Sequence, residues 1–186
     1  MNRETIFSPC RLYRYTLWRE TGLTHNFFPL ACDHGYDCCP MCDAKASFSG
    51  RADQYLMVIG LNPSTADETQ DDPTIRRCVG FARRWGFGAL CMANIFAWRD
   101  TDPERMKQAP SPIGQDNDQH LYDIARQAGL IVAAWGKHGS HLGRANKVIA
   151  NMAADRINLH CLHQNKDGSP KHPLYVRADV KPVRFP

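Results

Sequence analysis

Three short apolar runs, YLMVIGL at 55–61, ALCMANIFAW at 89–98 and LIVAAWG at 130–136, show no alternation of polar and apolar residues. A strand with one wet face must alternate, so such runs belong to strands covered on both sides, as in a parallel sheet flanked by helices. Segments of helical length separate them. Asp72 and Pro73 form a cap and first-turn pair, apolar residues recur at Ile75, Val79 and Phe81 or Ala82, and Gly86 and Gly88 stop the helix. Further helices are expected over 117–128 and 141–155, and a fourth buried strand over 157–164. The alternation specifies an α/β fold with a central parallel sheet of about four strands.

The stretch RLYRYTLWRE at 11–20 mixes basic with aromatic residues and reads as a strand or extended edge segment. RDTDPERMKQAPSPIGQDND at 99–118 is too rich in Pro and Asp to be regular before its last residues. At 186 residues and 43% hydrophobic, the chain supports one core, so a single domain over 1–186 is expected, with a Cys-rich insert at about 21–54. A net charge of +4 permits contact with phosphate without demanding it. No apolar run of about 18 residues and no signal-like start occur, so a soluble cytoplasmic protein with no membrane contact is expected.

Ligands of open parallel sheets bind beyond the carboxyl ends of the strands, so the loops NPSTADETQDDP, RDTD, GKHGSH and NKDGSPKHPLY should converge on one site. Asn62 follows the first buried strand, and Pro63 turns the backbone so that a neutral amide can orient a water or bond a base edge. The plainer reading is a strand-to-helix turn capped by Ser64 or Thr65. Asp67, Asp71 and Asp72 could ligate a hard cation or act as a base; Asp72 reads mainly as a cap, and Asp71 stays a catalytic candidate.

Past the third strand, Lys137, His138, His141 and Arg144 gather near a helix start, where backbone N–H groups can meet an anion. The late segment KDGSPKHPLYV combines Lys166, Lys171 and His172 with the ring of Tyr175, a set suited to phosphate and base contacts, with His172 able to stabilise developing negative charge. A solvated lysine pair beside a surface His is the alternative.

Five of the eight cysteines lie before residue 43. Cys32, His34, Cys38, Cys39 and Cys42 supply enough ligands for a tetrahedral zinc, with a C-P-M-C pair at the right spacing and Cys10 as a further donor. Structural zinc, an iron-sulfur cluster and free thiols all remain open. Cys78, Cys91 and Cys161 stand singly in apolar surroundings and read as core.

The segments YRYTLWR, LNPSTAD, DDPTIRRC, FARRWGFG, NIFAWRDTDP, GQDND, AWGKHG and KDGSPKHPLY occur in order, and on them the chain resembles the domain-of-unknown-function family numbered 1643. The cysteine-rich insert departs from that pattern. More distantly, GLNPS after a strand with a late HPLY looks like the uracil-DNA glycosylase superfamily, in which the first motif positions an attacking water and the second holds the backbone and flipped base. That resemblance implies a three-layer α/β/α sandwich. Gly60, Asn62 and Pro63 match the first motif, His172 and Pro173 the second. Asn94, Ser64, Lys137, His138, Arg144, Lys171 and Tyr175 join Gly60, Pro63 and Pro173 as substrate-binding candidates. The implied activity is on a nucleobase or nucleotide, in DNA as the expected partner, by glycosidic hydrolysis or by substitution at the base. A non-catalytic nucleic-acid-binding or assembly module and a small-molecule hydrolase are the competing readings.

Overall fold

The computed structural model describes residues 3–23 and 55–186. Its elements are β1 (Arg3–Phe7), β2 (Arg14–Glu20), β3 (Tyr55–Gly60), α1 (Pro73–Arg84), β4 (Ala89–Asn94), α2 (Pro103–Gln108), α3 (Asn117–Ala125), β5 (Leu130–Ala133), α4 (Arg144–Ala154), β6 (Leu159–Cys161) and β7 (Val183–Arg184). Short 3-10 turns cover Lys137–Gly143 and Pro173–Tyr175. The seven strands form one sheet in the order β1-β2-β4-β3-β5-β6-β7.

The four strands at its centre, β4, β3, β5 and β6, pair in parallel. Every residue of β3 and β4 is buried, as an unalternating apolar run requires. The sheet is wider than the expected four strands because antiparallel neighbours extend both ends, β2 against β4 and β7 against β6. RLYRYTLWRE forms a strand over Arg14–Glu20, as expected, and only its edge reading is corrected: β1 covers its outer side, so β2 is an interior strand.

Side chains alternate across the sheet and split the core in two. Met57, Ile59, Cys91 and Ala133 pack with Met106 of α2, Leu121 and Ile124 of α3, and Val148 and Met152 of α4. Leu56, Val58, Leu90 and Val132 pack with Ile75, Cys78, Phe81 and Ala82 of α1. Cys78, Cys91 and Cys161 are fully buried, as expected of core thiols.

Asp72 caps α1 by accepting from Ile75 N at 2.8 Å, a contact that contributes about 1 kcal/mol. The same device starts α2, where Asp102 accepts from Glu104 N at 2.9 Å ahead of Pro103. The expectation of irregular chain there is corrected by this cap. Among the described residues no helix is long and apolar enough to cross a membrane. Cys32, His34, Cys38, Cys39 and Cys42 lie outside the described residues.

Candidate functional site

From β3 the chain passes through α1 on one face to β4 on one side, then returns across the other face through α3 to β5 on the opposite side of β3. The loops after β3 and β5 therefore leave neighbouring strand ends in opposite directions and open a crevice between them. A cavity of about 830 Å³ occupies that place. Gly60, Asn62 and Ser64 from the first loop line it, as do Asp100 and Thr101 from the second. Trp135, Lys137 and His138 from the third and Asn165, Lys171 and His172 from the fourth complete it. All four sequence loops converge.

Backbone bonds lock the loops together. Asp100 N donates to Pro63 O at 3.0 Å, Gly136 N to Pro170 O at 2.9 Å, and Lys171 N to His163 O at 2.8 Å. The Asn62 Nδ2 joins this lacing, donating to Asp100 O at 2.7 Å and Pro63 O at 3.2 Å. Its two amide protons are thereby occupied. The Oδ1 makes no hydrogen bond among the described residues, so Asn62 offers the cavity an acceptor.

Asn94 ends β4 and stands beside Gly60 in the parallel ladder. It is 1% exposed and its Nδ2 has no partner among the described residues. A Cβ on Gly60 would lie 2.8 Å from Asn94 Oδ1 and 2.8 Å from the Met92 methyl, so only glycine lets this amide occupy the cavity wall.

His172 caps the turn Pro173–Tyr175, its Nδ1 accepting from Leu174 N at 3.3 Å. Burial holds the imidazole below its ordinary pKa, against the opposing pull of Asp72, and the ring is neutral at pH 7 with Nε2–H as its donor. Its ring centroid lies 5.7 Å from that of Tyr175, which is 73% exposed at the cavity mouth. Arg77 of α1 donates to Val176 O and fastens this turn to the helix.

Four candidates are placed elsewhere. Asp71 pairs with Arg19 at 2.7 Å and with Arg3 at 3.4 Å, toward β1 and β2, so its catalytic assignment is corrected to an ion-pair role. Arg144 is 1% exposed, donates from Nε to Ile95 O at 2.7 Å and pairs with Asp118; it does not line the cavity and is corrected from phosphate contact to clamp. Pro63 and Pro173 are buried and act through the backbone rather than by contact.

Sequence reading missed Arg14, Asp100, Trp135 and Asn165, which line the cavity, and gave Asp72 mainly its cap. Trp135 had a signal in Gly139, where a Cβ would lie 2.3 Å from its ring. Arg14 had none. It comes from β2, and its Nη1 reaches under the first loop to Ala66 O at 2.8 Å.

A family model described as a protein of unknown function, DUF1643, matches residues 47–174. No curated protein matches the chain, and no solved structure does.

Proposed function

The chain belongs to the DUF1643 family, and on that footing we propose that it is a glycosylase-like protein acting on a nucleobase or nucleotide, with DNA as the macromolecular source of the base. The observation that supports this reading is the meeting of Asn62, Asn94 and His172 on one cavity of about 830 Å³, within the range of nucleotide-sized ligand sites. The finer fold reading, a three-layer α/β/α sandwich of the uracil-DNA glycosylase kind, belongs to the same proposal and is supported by helices on both faces of the parallel strands.

In this mechanism a base enters from a single strand or is extruded from a duplex. Asn94 and Gly60 present an amide edge to it, and Tyr175 stacks at the mouth. Asn62 Oδ1 accepts a proton of the attacking water or amine and aims its lone pair at the sugar or ring carbon. An amide activates such a nucleophile weakly. The barrier then falls mainly through stabilisation of negative charge on the departing base, for which His172 supplies Nε2–H and Lys171 and Lys137 supply positive charge. A structural zinc on Cys32, His34, Cys38, Cys39 and Cys42 is kept as a staple of the insert, and elemental analysis finding about one zinc per chain would support it.

An abasic-site assay on uracil- and modified-thymine-containing strands tests the reading. Turnover by the native chain and its loss in Asn62→Ala are expected; binding without turnover would point instead to a recognition module. Absence of both binding and turnover would end the nucleobase proposal.

A further inference from the structure

Arg14 is the most deeply placed cation of the cavity wall, 2% exposed against the exposed Lys137 and Lys166 at the rim. Its guanidinium carries five N–H donors and makes one hydrogen bond, to Ala66 O. Among the described residues no carboxylate pairs with it, and its Nε is buried without a partner. Burial pulls its pKa down to about 10, with Asp72 opposing and Arg99 and Arg19 adding to the fall, so it is still charged at pH 7. A buried charge left in this state is costly, and a fold retains it where a guest supplies the counter-charge.

The neighbouring wall fits an oxyanion. Thr74 lines the cavity at the second position of α1, and its N–H bonds nothing among the described residues, since Asp72 takes the next one along. The positive end of a 12-residue helix thus faces the same space. Asp72 lines it too, and its second oxygen makes no hydrogen bond among the described residues. That carboxylate decides which oxyanion is admitted. A phosphodiester only accepts, and Asp72 would repel it; a phosphomonoester bound as its monoanion, the minority form at pH 7 because the second ionisation lies near pH 6, accepts from Arg14 and donates its P–OH to Asp72.

We propose that Arg14, Thr74 and Asp72 form a phosphomonoester subsite at the inner end of the cavity, which selects a free nucleotide over the internal phosphates of a strand. This inference rests on the nucleotide reading of the cavity and replaces strand DNA with a free nucleotide as the substrate class. A guest anchored by its terminal phosphate leaves its base toward Trp135, Asn94 and Tyr175.

Calorimetric titration of the full chain with inorganic phosphate, thymidine, thymidine 5′-monophosphate and a thymidine trinucleotide without terminal phosphates tests it. The monophosphate should bind more tightly than thymidine and the trinucleotide. Arg14→Gln should weaken phosphate and monophosphate by roughly tenfold or more and leave thymidine unchanged. Arg14→Lys, which keeps the charge and loses the fork, should fall between and serves where the Gln variant does not fold. Phosphate should raise the melting temperature of the native chain and not of Arg14→Gln. Equal phosphate binding by native chain and variants, no phosphate binding by the native chain at tens of millimolar, or a trinucleotide bound as well as the monophosphate would overturn the subsite. Loss of this subsite would leave turnover on DNA in place, whereas failure of the DNA assay would leave Arg14-dependent phosphate binding standing, so the two proposals fail separately.

Discussion

Arg14 and Arg144 are equally withdrawn from water, 2% and 1% exposed, and the fold treats them differently. Arg144 opens α4, donates to the chain just after β4 at Ile95 O, and pairs with Asp118 on α3, so one side chain joins three parts of the molecule. Arg14 has a single carbonyl and an open cavity. The lesson is that depth of burial does not mark a functional charge. What marks it is whether the protein itself provides the counter-ion: on the α3–α4 side it does, and at the inner end of the cavity it leaves that place to a guest.

The comparison breaks most visibly in catalysis. If the cavity side is built for chemistry, Asn62→Ala should lower turnover by roughly a hundredfold or more, while the unfolding midpoint falls only by the few degrees that loss of the two lacing bonds from its Nδ2 costs, as measured by parallel activity and calorimetry. Stability should show the reverse pattern. Arg144→Met is expected to cost about 2 kcal/mol in urea unfolding because it removes the bonds to Ile95 O and Asp118, which among the described residues keep only Asn117 Nδ2 at 3.3 Å and Lys147 at 3.8 Å, whereas Arg14→Met should cost clearly less, since little is left unpaired. Equal costs would erase the distinction drawn here.

A smaller effect should appear with pH. Burial is the leading cause that holds His120, His138 and His172 below their ordinary 6.5. The unfolded chain therefore takes up protons first on acidification, so this part of the stability is complete above about pH 6.5 and is lost as pH falls below it toward the folded-state values. Unfolding midpoints measured across that window should fall, and His172→Gln should flatten the slope. The smallest change is expected for Tyr175→Ala: at 73% exposure its loss should move stability by less than about 0.5 kcal/mol, while base-containing ligands bind measurably less well.

The parallel strands were legible because an unalternating apolar run has few other homes, and their loops then converge by the geometry of the sheet. The edges were not. RETIF is polar and half-wet, as an outer strand should be, and carries no apolar run to announce β1. Once β1 is in place, the alternating arginines of β2 no longer face solvent: Arg14 and Arg19 turn inward, to the cavity and to Asp71. The Asp-Pro pair that marks α1 also marks α2, and the surrounding prolines hid it. At the site, residues on loops directly after strands could be placed from the sequence, as Asn62, Lys171 and His172 were. Arg14 could not, because it meets the cavity through a contact to a residue 52 positions further along the chain, which no local pattern encodes. Arg144 erred in the opposite way: a glycine-rich turn beside it suggested an anion site, while its true partner sits on a neighbouring helix.

Gly60 and Asn94 occupy matching final rungs of two adjacent central strands. Their separation is thus fixed by inter-strand ladder bonds rather than by loop conformation, while the rim lysines ride on connecting segments free to vary in length and sequence. Divergence within such an architecture can exchange the rim and so retune affinity and partner choice, yet this strand-borne plate keeps its shape. A change of ring specificity would need a coordinated double replacement on both strands, a rarer step than any loop edit.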